Sequence, residues 1–90
     1  MVGPPEQSLL EFPCEFTVKA MGRNQPEFEQ LVESIVRRHL EESATVSSRL
    51  NPSRNENYVS VSVSFTAQSK AQLDSIYMDL TSEPKVLVAL

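Results

Sequence analysis

Hydrophobic residues recur along the chain at two alternating spacings, first at every second position and then at every third or fourth. The every-second spacing is typical of strands that bury one face, and the wider spacing is typical of amphipathic helices. Strands are predicted by this criterion at four places: about Glu15–Met21, Thr45–Leu50, Val59–Thr66 and Val86–Leu90. The third is the clearest, because its valines alternate with serines without interruption.

Two amphipathic helices are predicted, one between strands one and two and one between strands three and four. The first helix follows Gly22, which is expected to end the first strand. Asn24, with a glutamate three residues later, forms a capping-box pattern at its start, and the helix is predicted to end near Glu42. The second helix carries the same capping pattern at Ser69 and Gln72.

This order of elements predicts an α+β protein with the ferredoxin-like fold. The fold is a βαββαβ sandwich in which a four-stranded antiparallel sheet carries two helices on one face. Right-handed crossovers place strands one and three at the centre of the sheet and strands two and four at its edges. Residues 9–90 are predicted to form this single domain, and residues 1–8 a loose leader. The apolar side of strand three is expected to pack under both helices: Val59, Val61, Val63 and Phe65.

Charge and composition narrow the classes of partner. The 90-residue chain has a net charge of −4 and its basic residues are dispersed, which argues against a nucleic-acid partner. No apolar stretch approaches the length of a membrane span, and the first residues lack the pattern of a signal peptide. The single cysteine, Cys14, cannot form an internal disulfide. We therefore expect a cytoplasmic protein with neither a nucleic-acid nor a membrane partner.

Residues able to hold a metal or to act as a base are scarce. Cys14 and His39 are the only cysteine and histidine, so no metal site, cofactor or catalytic residue is predicted. His39 lies on the apolar stripe of the first helix, where a partly buried, hydrogen-bonded histidine is expected. An RNA-binding sheet would present aromatic residues on its open face, where this sequence has Ser60, Ser62 and Ser64.

The predicted ligand site is the junction of the first strand with the first helix, formed by Gly22, Arg23 and Asn24. Unpaired backbone N–H groups and the positive end of the helix would attract an anion there, and Arg23 would clamp a carboxylate. The loop Met21–Gln25 also has a faint likeness to the phosphate cradle of acylphosphatase-like hydrolases. That enzyme class is the less favoured alternative, because the loop has one glycine and the middle of strand three has no asparagine.

A set of short motifs runs through nearly the whole chain from Leu9. They are the run Leu10-Glu11-Phe12-Pro13, then Phe16, Lys19, Met21-Gly22, Arg38-His39 and Asn57-Tyr58, and the alternating strand Ser60 to Ser64. At these spacings the chain resembles the YbeD-like family of small bacterial proteins of unknown function. The resemblance implies a ferredoxin-like fold similar to ACT regulatory domains, and an allosteric role for which lipoate metabolism is the suggested setting. It supplies no catalytic residues.

The resemblance favours a non-catalytic regulatory or ligand-sensing module of the ACT type. Its expected ligand is a small anionic or amino-acid-like molecule, bound at the loop after strand one, and its expected partner is an unidentified protein of lipoate metabolism. A protein–protein adaptor without a small-molecule ligand is an alternative of about equal weight. A homodimer through an exposed sheet edge or the serine-rich face is also predicted, because apolar Val86–Leu90 would promote aggregation at an uncovered edge.

Overall fold

The computed structural model describes residues 10–90 of the chain. The predicted leader, residues 1–8, lies outside the described residues. The elements follow one another in the predicted order: β1 (Cys14–Arg23), α1 (Phe28–Arg37), β2 (Ser47–Pro52), β3 (Tyr58–Ala67), α2 (Lys70–Ser82) and β4 (Val88–Ala89). Strand β2 therefore begins two residues later than the predicted Thr45 and ends at Pro52.

The strands form one antiparallel sheet in the order β2-β3-β1-β4. Strands β1 and β3 pair along their whole length, from Cys14 opposite Ala67 to Arg23 opposite Tyr58. Both helices pack on the same face of this central pair. The predicted ferredoxin-like sandwich is therefore confirmed, with strands one and three at the centre and strands two and four at the edges.

The hydrophobic core lies between the two helices and the inward face of the sheet. Its central row comes from β3, where every second side chain is buried, as the valine-serine alternation predicts. Valines and isoleucines dominate it, which suits a thin two-layer core because these stiff side chains lose little rotamer freedom on burial. The buried residues are Val18, Ala20, Phe28, Val32, Ile35, Val36, Val59, Val61, Val63, Phe65, Ala67, Leu73, Ile76, Leu80 and Val86.

The two helix starts differ in their capping. The Ser69 Oγ accepts a hydrogen bond from the Gln72 N–H at 3.1 Å, which confirms the predicted cap of α2. The predicted cap of α1 by Asn24 is wrong: the helix begins after Glu27, with no side-chain cap, and the Asn24 Nδ2 donates to the Glu56 carbonyl at 3.0 Å. The Asn24 side chain therefore holds the loop before β3, which is distant in sequence, and does not cap the helix that follows it.

Helix α1 ends at Arg37, five residues before the predicted end near Glu42. The N–H groups of His39 and Leu40 bond to carbonyls three residues back, at 3.0 and 3.1 Å. Such tighter bonds are typical of a helix terminus, and they turn the chain toward β2. The apolar spacing continues beyond Arg37 because Leu40 still packs against the core, so periodicity alone overestimates the helix.

Gly22 does not end the first strand as predicted, since β1 continues through it to Arg23. Gly22 is buried and its φ is not positive, so a turn conformation does not explain it. A Cβ built on Gly22 would lie 2.5 Å from the Lys85 carbonyl oxygen and 2.6 Å from the Phe28 ring. The position therefore requires a glycine because backbone and ring approach it closely, within a regular strand.

The last strand is shorter than the predicted Val86–Leu90, since its ladder comprises Val88 and Ala89. The pairing is extended by two backbone bonds between Lys19 and Leu90, of 2.9 and 2.7 Å, and by the bond from the Leu87 N–H to the Met21 carbonyl. Val86 is buried, but Leu87, Val88 and Leu90 are exposed. This strand lies at the edge of the sheet, as predicted.

Asp79 connects α2 to the residues that directly follow α1. Its Oδ2 lies 2.9 Å from the His39 Nε2 and 3.4 Å from an Arg38 guanidinium nitrogen. His39 is half-buried and hydrogen-bonded, as expected, but it lies two residues beyond the end of α1 and not on the helix. The hydrogen bond with His39, followed by the charge of Arg38, holds the pKa of Asp79 below its ordinary value.

We expect Asp79→Asn to remove part of the acid sensitivity of the fold. A carboxylate whose pKa is lowered in the folded state contributes stability above its unfolded pKa, and this contribution is lost as pH falls through the folded pKa. The variant should therefore be less stable than the parent at neutral pH, and the difference should shrink below the ordinary aspartate value of 3.8. Urea midpoints measured across this pH range test it. Asp74→Asn, which removes the exposed pair with Lys70 on the same helix, is the control and should have a smaller effect at neutral pH.

Truncation of Val61 to Ala should lower the free energy of unfolding by about 1 to 3 kcal/mol, from lost apolar transfer and the cavity left behind. Val61 is fully buried at the centre of the β3 row. Ser62→Ala is the matched control on the opposite face of the same strand and should be nearly neutral. Chemical denaturation of both variants measures the difference, and equal losses would contradict the assigned register.

Candidate functional site

A cavity of about 210 Å³ opens where β1 ends, beside the start of α1 and the segment that joins α2 to β4. We call it the β1-end cavity. Two stretches that are far apart in sequence meet there, residues 23–28 and residues 84–87. Its lining residues are Arg23, Gln25, Phe28, Pro84, Lys85 and Leu87. It combines an apolar wall with two basic residues, which suits a small ligand that has both an apolar part and an anionic group.

The second of these stretches, residues 84–87, is held against β1 by backbone contacts. The Leu87 N–H donates to the Met21 carbonyl at 2.7 Å, and the Lys85 carbonyl lies against Gly22. The Lys85 Nζ lies 3.2 Å from the Glu27 Oε2, 58 residues earlier in the chain. No motif marked Lys85 in the sequence, because its place in the cavity depends on where the chain returns after α2.

Both basic residues of the cavity already have partners, and both partnerships are weak. The Arg23 guanidinium carbon lies 5.6 Å from the centre of the Tyr58 ring, a cation–π contact. Lys85 shares an exposed ion pair with Glu27, whose pKa is lowered first by a backbone hydrogen bond and then by Lys85. An exposed cation–π contact contributes about 0.5 to 1 kcal/mol, and an exposed ion pair is weakened by water and salt. Either cation can therefore exchange its partner for a better anion.

The structure separates the three residues predicted as a ligand site. Arg23 lines the cavity. Gly22 lies beneath it, covered by the Phe28 ring and the Lys85 carbonyl. Asn24 faces the neighbouring loop instead, because its N–H donates to the Asn57 carbonyl and its side chain to the Glu56 carbonyl. The expected unpaired N–H at Asn24 is therefore wrong. Ligand binding at these residues stays a prediction.

A second, larger cavity of about 590 Å³ lies where α1 ends, beside the start of α2. Its wall includes Arg38, His39, Glu41 and Gln72, and the Gln72 Nε2 donates to the His39 carbonyl at 2.8 Å. Both basic groups of this cavity contact the Asp79 carboxylate, and Glu41 adds a negative charge. It is therefore a weaker candidate for an anion than the β1-end cavity, although it is larger.

Two further properties concern residues 10–90 alone. No three histidine, cysteine, aspartate or glutamate side chains come close enough together in this part of the chain to hold a metal ion. None of its helices is long and apolar enough to cross a membrane.

Comparison with known sequences identifies relatives along nearly the whole chain. A UPF0250 protein of Paraburkholderia phytofirmans is 40% identical over 84 residues, which cover 93% of this chain and 94% of the relative. A UPF0250 protein of Nitrosomonas europaea is 39% identical over 85 residues, covering 94% of this chain and 98% of the relative. A UPF0250 protein of Neisseria meningitidis is 42% identical over 83 residues, covering 92% and 91%.

Two solved structures share the fold. The solution structure of protein HP0495 from H. pylori superposes with a TM-score of 0.75 at 14% identity, covering 100% of this chain and 94% of that one. The C-terminal domain of the MgtC protein from Mycobacterium tuberculosis superposes with a TM-score of 0.68 at 17% identity, covering 89% and 86%. At these identities the likeness concerns the fold alone.

The family model described as "Protein of unknown function (DUF493)" matches residues 7–90. This match and the UPF0250 relatives confirm the family that the sequence motifs indicated. The chain belongs to the DUF493 family of bacterial proteins of unknown function, and the relatives described above are UPF0250 proteins.

Proposed function

We propose that this protein is a non-catalytic regulatory module that senses a small organic anion in the β1-end cavity. The ligand class is a carboxylate that carries a short apolar chain, as in amino acids and lipoyl compounds. The observation that carries the proposal is the pairing of an apolar wall, formed by Phe28, Pro84 and Leu87, with the basic residues Arg23 and Lys85.

The energetics of Arg23 support this ligand class. To hold a carboxylate, the guanidinium would leave the Tyr58 ring and lose about 0.5 to 1 kcal/mol of cation–π attraction. Hydrogen bonds to a charged group contribute about 1.5 to 3 kcal/mol. The exchange therefore favours the ligand by about 0.5 to 2.5 kcal/mol, which suits a sensor that must also release its ligand.

The position of the cavity couples ligand binding to the edge strand β4. Its wall includes Lys85 and Leu87, which precede β4, and β4 pairs with β1 over a short ladder. A ligand that holds this segment would also stabilise the edge strand, where a partner or a second copy of the chain would dock. The proposed partner is a protein of lipoate metabolism, as the family resemblance implies.

An adaptor that binds no small molecule is the second candidate. It is favoured by the exposure of Leu87, Val88 and Leu90 at the sheet edge, which is typical of a contact surface. The acylphosphatase-like alternative has less support, because β3 has no asparagine to orient a water and the Asn24 side chain of the loop donates to a backbone carbonyl.

Arg23→Ala should weaken ligand binding by about tenfold or more, because it removes a charge-assisted hydrogen bond. Thermal shifts measured with each amino acid and with lipoic acid identify the probe that stabilises the parent protein. Titration calorimetry with that probe then compares parent and variant. If none of these compounds raises the melting temperature, the ligand-sensing proposal is wrong and the adaptor is favoured.

Two variants sharpen this experiment. Arg54→Ala removes an exposed arginine of the turn between β2 and β3, outside the cavity, and should leave the affinity unchanged. Tyr58→Leu removes the competing cation–π partner of Arg23 and should tighten binding a few fold. An unchanged affinity in Arg23→Ala would move the site to the outward sheet face around Lys19 and Ser62.

A further inference from the structure

We propose that the sheet face turned away from the helices docks an acidic segment of a partner protein. We call it the open face. It is formed by the strand residues whose side chains alternate with those of the core. They are the odd-numbered residues from Glu15 to Arg23 in β1 and from Ser47 to Asn51 in β2, the even-numbered residues from Tyr58 to Thr66 in β3, and Val88 in β4. This inference does not rest on the β1-end cavity.

The first argument is the segregation of charge. The open face carries Lys19, Arg23 and Arg49 against one carboxylate, Glu15, in a chain whose net charge is −4. Within residues 10–90, none of these three cations has a carboxylate within ion-pair distance. The basic residues elsewhere are mostly neutralised, in the pairs Arg37–Glu33, Arg38–Asp79, Lys70–Asp74 and Lys85–Glu27. The positive charge that remains uncompensated is therefore concentrated where the helices do not cover the sheet.

The second argument is the register of two of these cations. Arg49 and Lys19 both lie opposite Ser62, one from each neighbouring strand. Because adjacent strands are about 4.8 Å apart, the two Cα atoms are about 10 Å apart, with the small serine between them. Long basic side chains at this separation can contact carboxylates on one extended segment or on one helix face.

Small hydroxyl residues leave room for such a segment. Beside Arg49 the face holds a shallow cavity of about 500 Å³, which Thr17, Ser62 and Ser64 help to line. The Thr17 and Ser64 hydroxyls lie 2.8 Å apart and bond to each other across the strands. Hydroxyls on a sheet can donate to carboxylates without blocking the approach of a backbone.

The third argument is the apolar strip beside these charges. Met21 and Val88 lie opposite each other on the open face and are 37% and 45% exposed. Leu90, bonded to Lys19 through the backbone, is 64% exposed. A basic row next to an apolar strip matches a segment in which acidic and apolar side chains are interspersed.

This chemistry favours an acidic protein segment over two other occupants. A second copy of the chain stacked through the same face would bring the cations of one copy against those of the other, which is unfavourable. A nucleic acid would use stacked bases, and Tyr58 is the one aromatic residue of the open face, already in contact with the Arg23 guanidinium.

A designed peptide tests the proposal. The probe is a short fluorescein-labelled peptide of glutamates with interspersed leucines, and its control has glutamine at every glutamate. Fluorescence anisotropy should show that the acidic peptide binds and the glutamine control does not. The affinity for the acidic peptide should fall as salt is added. Amide chemical shifts should change at Lys19, Ser62 and Val88, and not on the outer surfaces of α1 and α2.

Charge reversal on the protein supplies the matched comparison. Arg49→Glu should weaken the acidic peptide about tenfold or more, since attraction becomes repulsion on the open face. Arg54→Glu makes the same change of net charge in the exposed turn outside this face and should alter affinity less than about twofold. Both variants leave the buried core intact, so circular dichroism should match the parent.

Four outcomes would overturn the proposal. They are equal losses in the two charge-reversal variants, shifts confined to the helical side, tighter binding of a single-stranded oligonucleotide than of the peptide, and no binding at millimolar peptide. Arg49 does not line the β1-end cavity, so a failure of the peptide experiment would not contradict the ligand-sensing proposal. Conversely, the small-molecule results with Arg23→Ala do not decide whether the open face docks an acidic segment.

Discussion

Burial of one face of the β1–β3 pair under both helices is the constraint from which the other features of this protein follow. The inward row of β3 lies in one buried cluster with α1 residues such as Val32 and α2 residues such as Ile76. Each buried aliphatic side chain contributes about 1.5 to 3 kcal/mol from removal of apolar surface from water. In a chain this small these side chains are all needed in one layer, so no helix or strand within residues 10–90 covers the opposite sheet face.

The end of β1 depends on a close contact that this packing creates. The Phe28 ring and the Lys85 carbonyl both press on Gly22, where any side chain would collide with them. This contact brings together the end of the first strand, the start of the first helix and the approach to the last strand. The β1-end cavity is the space left between these segments. A glycine there therefore serves the candidate site indirectly, by letting its walls approach one another.

The charge pattern differs between the two sides of the described surface. On the helical side, basic residues contact carboxylates and contribute mainly to local stability, as Arg38 and His39 do where they connect the chain just after α1 to Asp79 of α2. On the open face, cations stand among serines and threonines without such partners in the described chain. A net charge of −4 conceals this division, because the acidic residues lie mostly on and around the helices. The acidic total argues against a nucleic-acid partner for the whole chain, and the local distribution still favours an anionic contact on one face.

The order of elements, the sheet topology, the central core row and the cap at Ser69 could all be predicted from the sequence. The sheet topology follows from the handedness of the crossovers, and the other three depend on periodicity or on a capping pattern that acts within a few residues. Other features were decided by contacts between distant segments: the use of Asn24 to hold the loop at Glu56, the passage of β1 through Gly22 and the early end of α1. Lys85 lies at the candidate site for the same reason, because its neighbours are determined by where the chain returns beside β1 after α2. Local spacing determines which face of an element is buried, whereas tertiary packing determines what each exposed or closely packed residue meets.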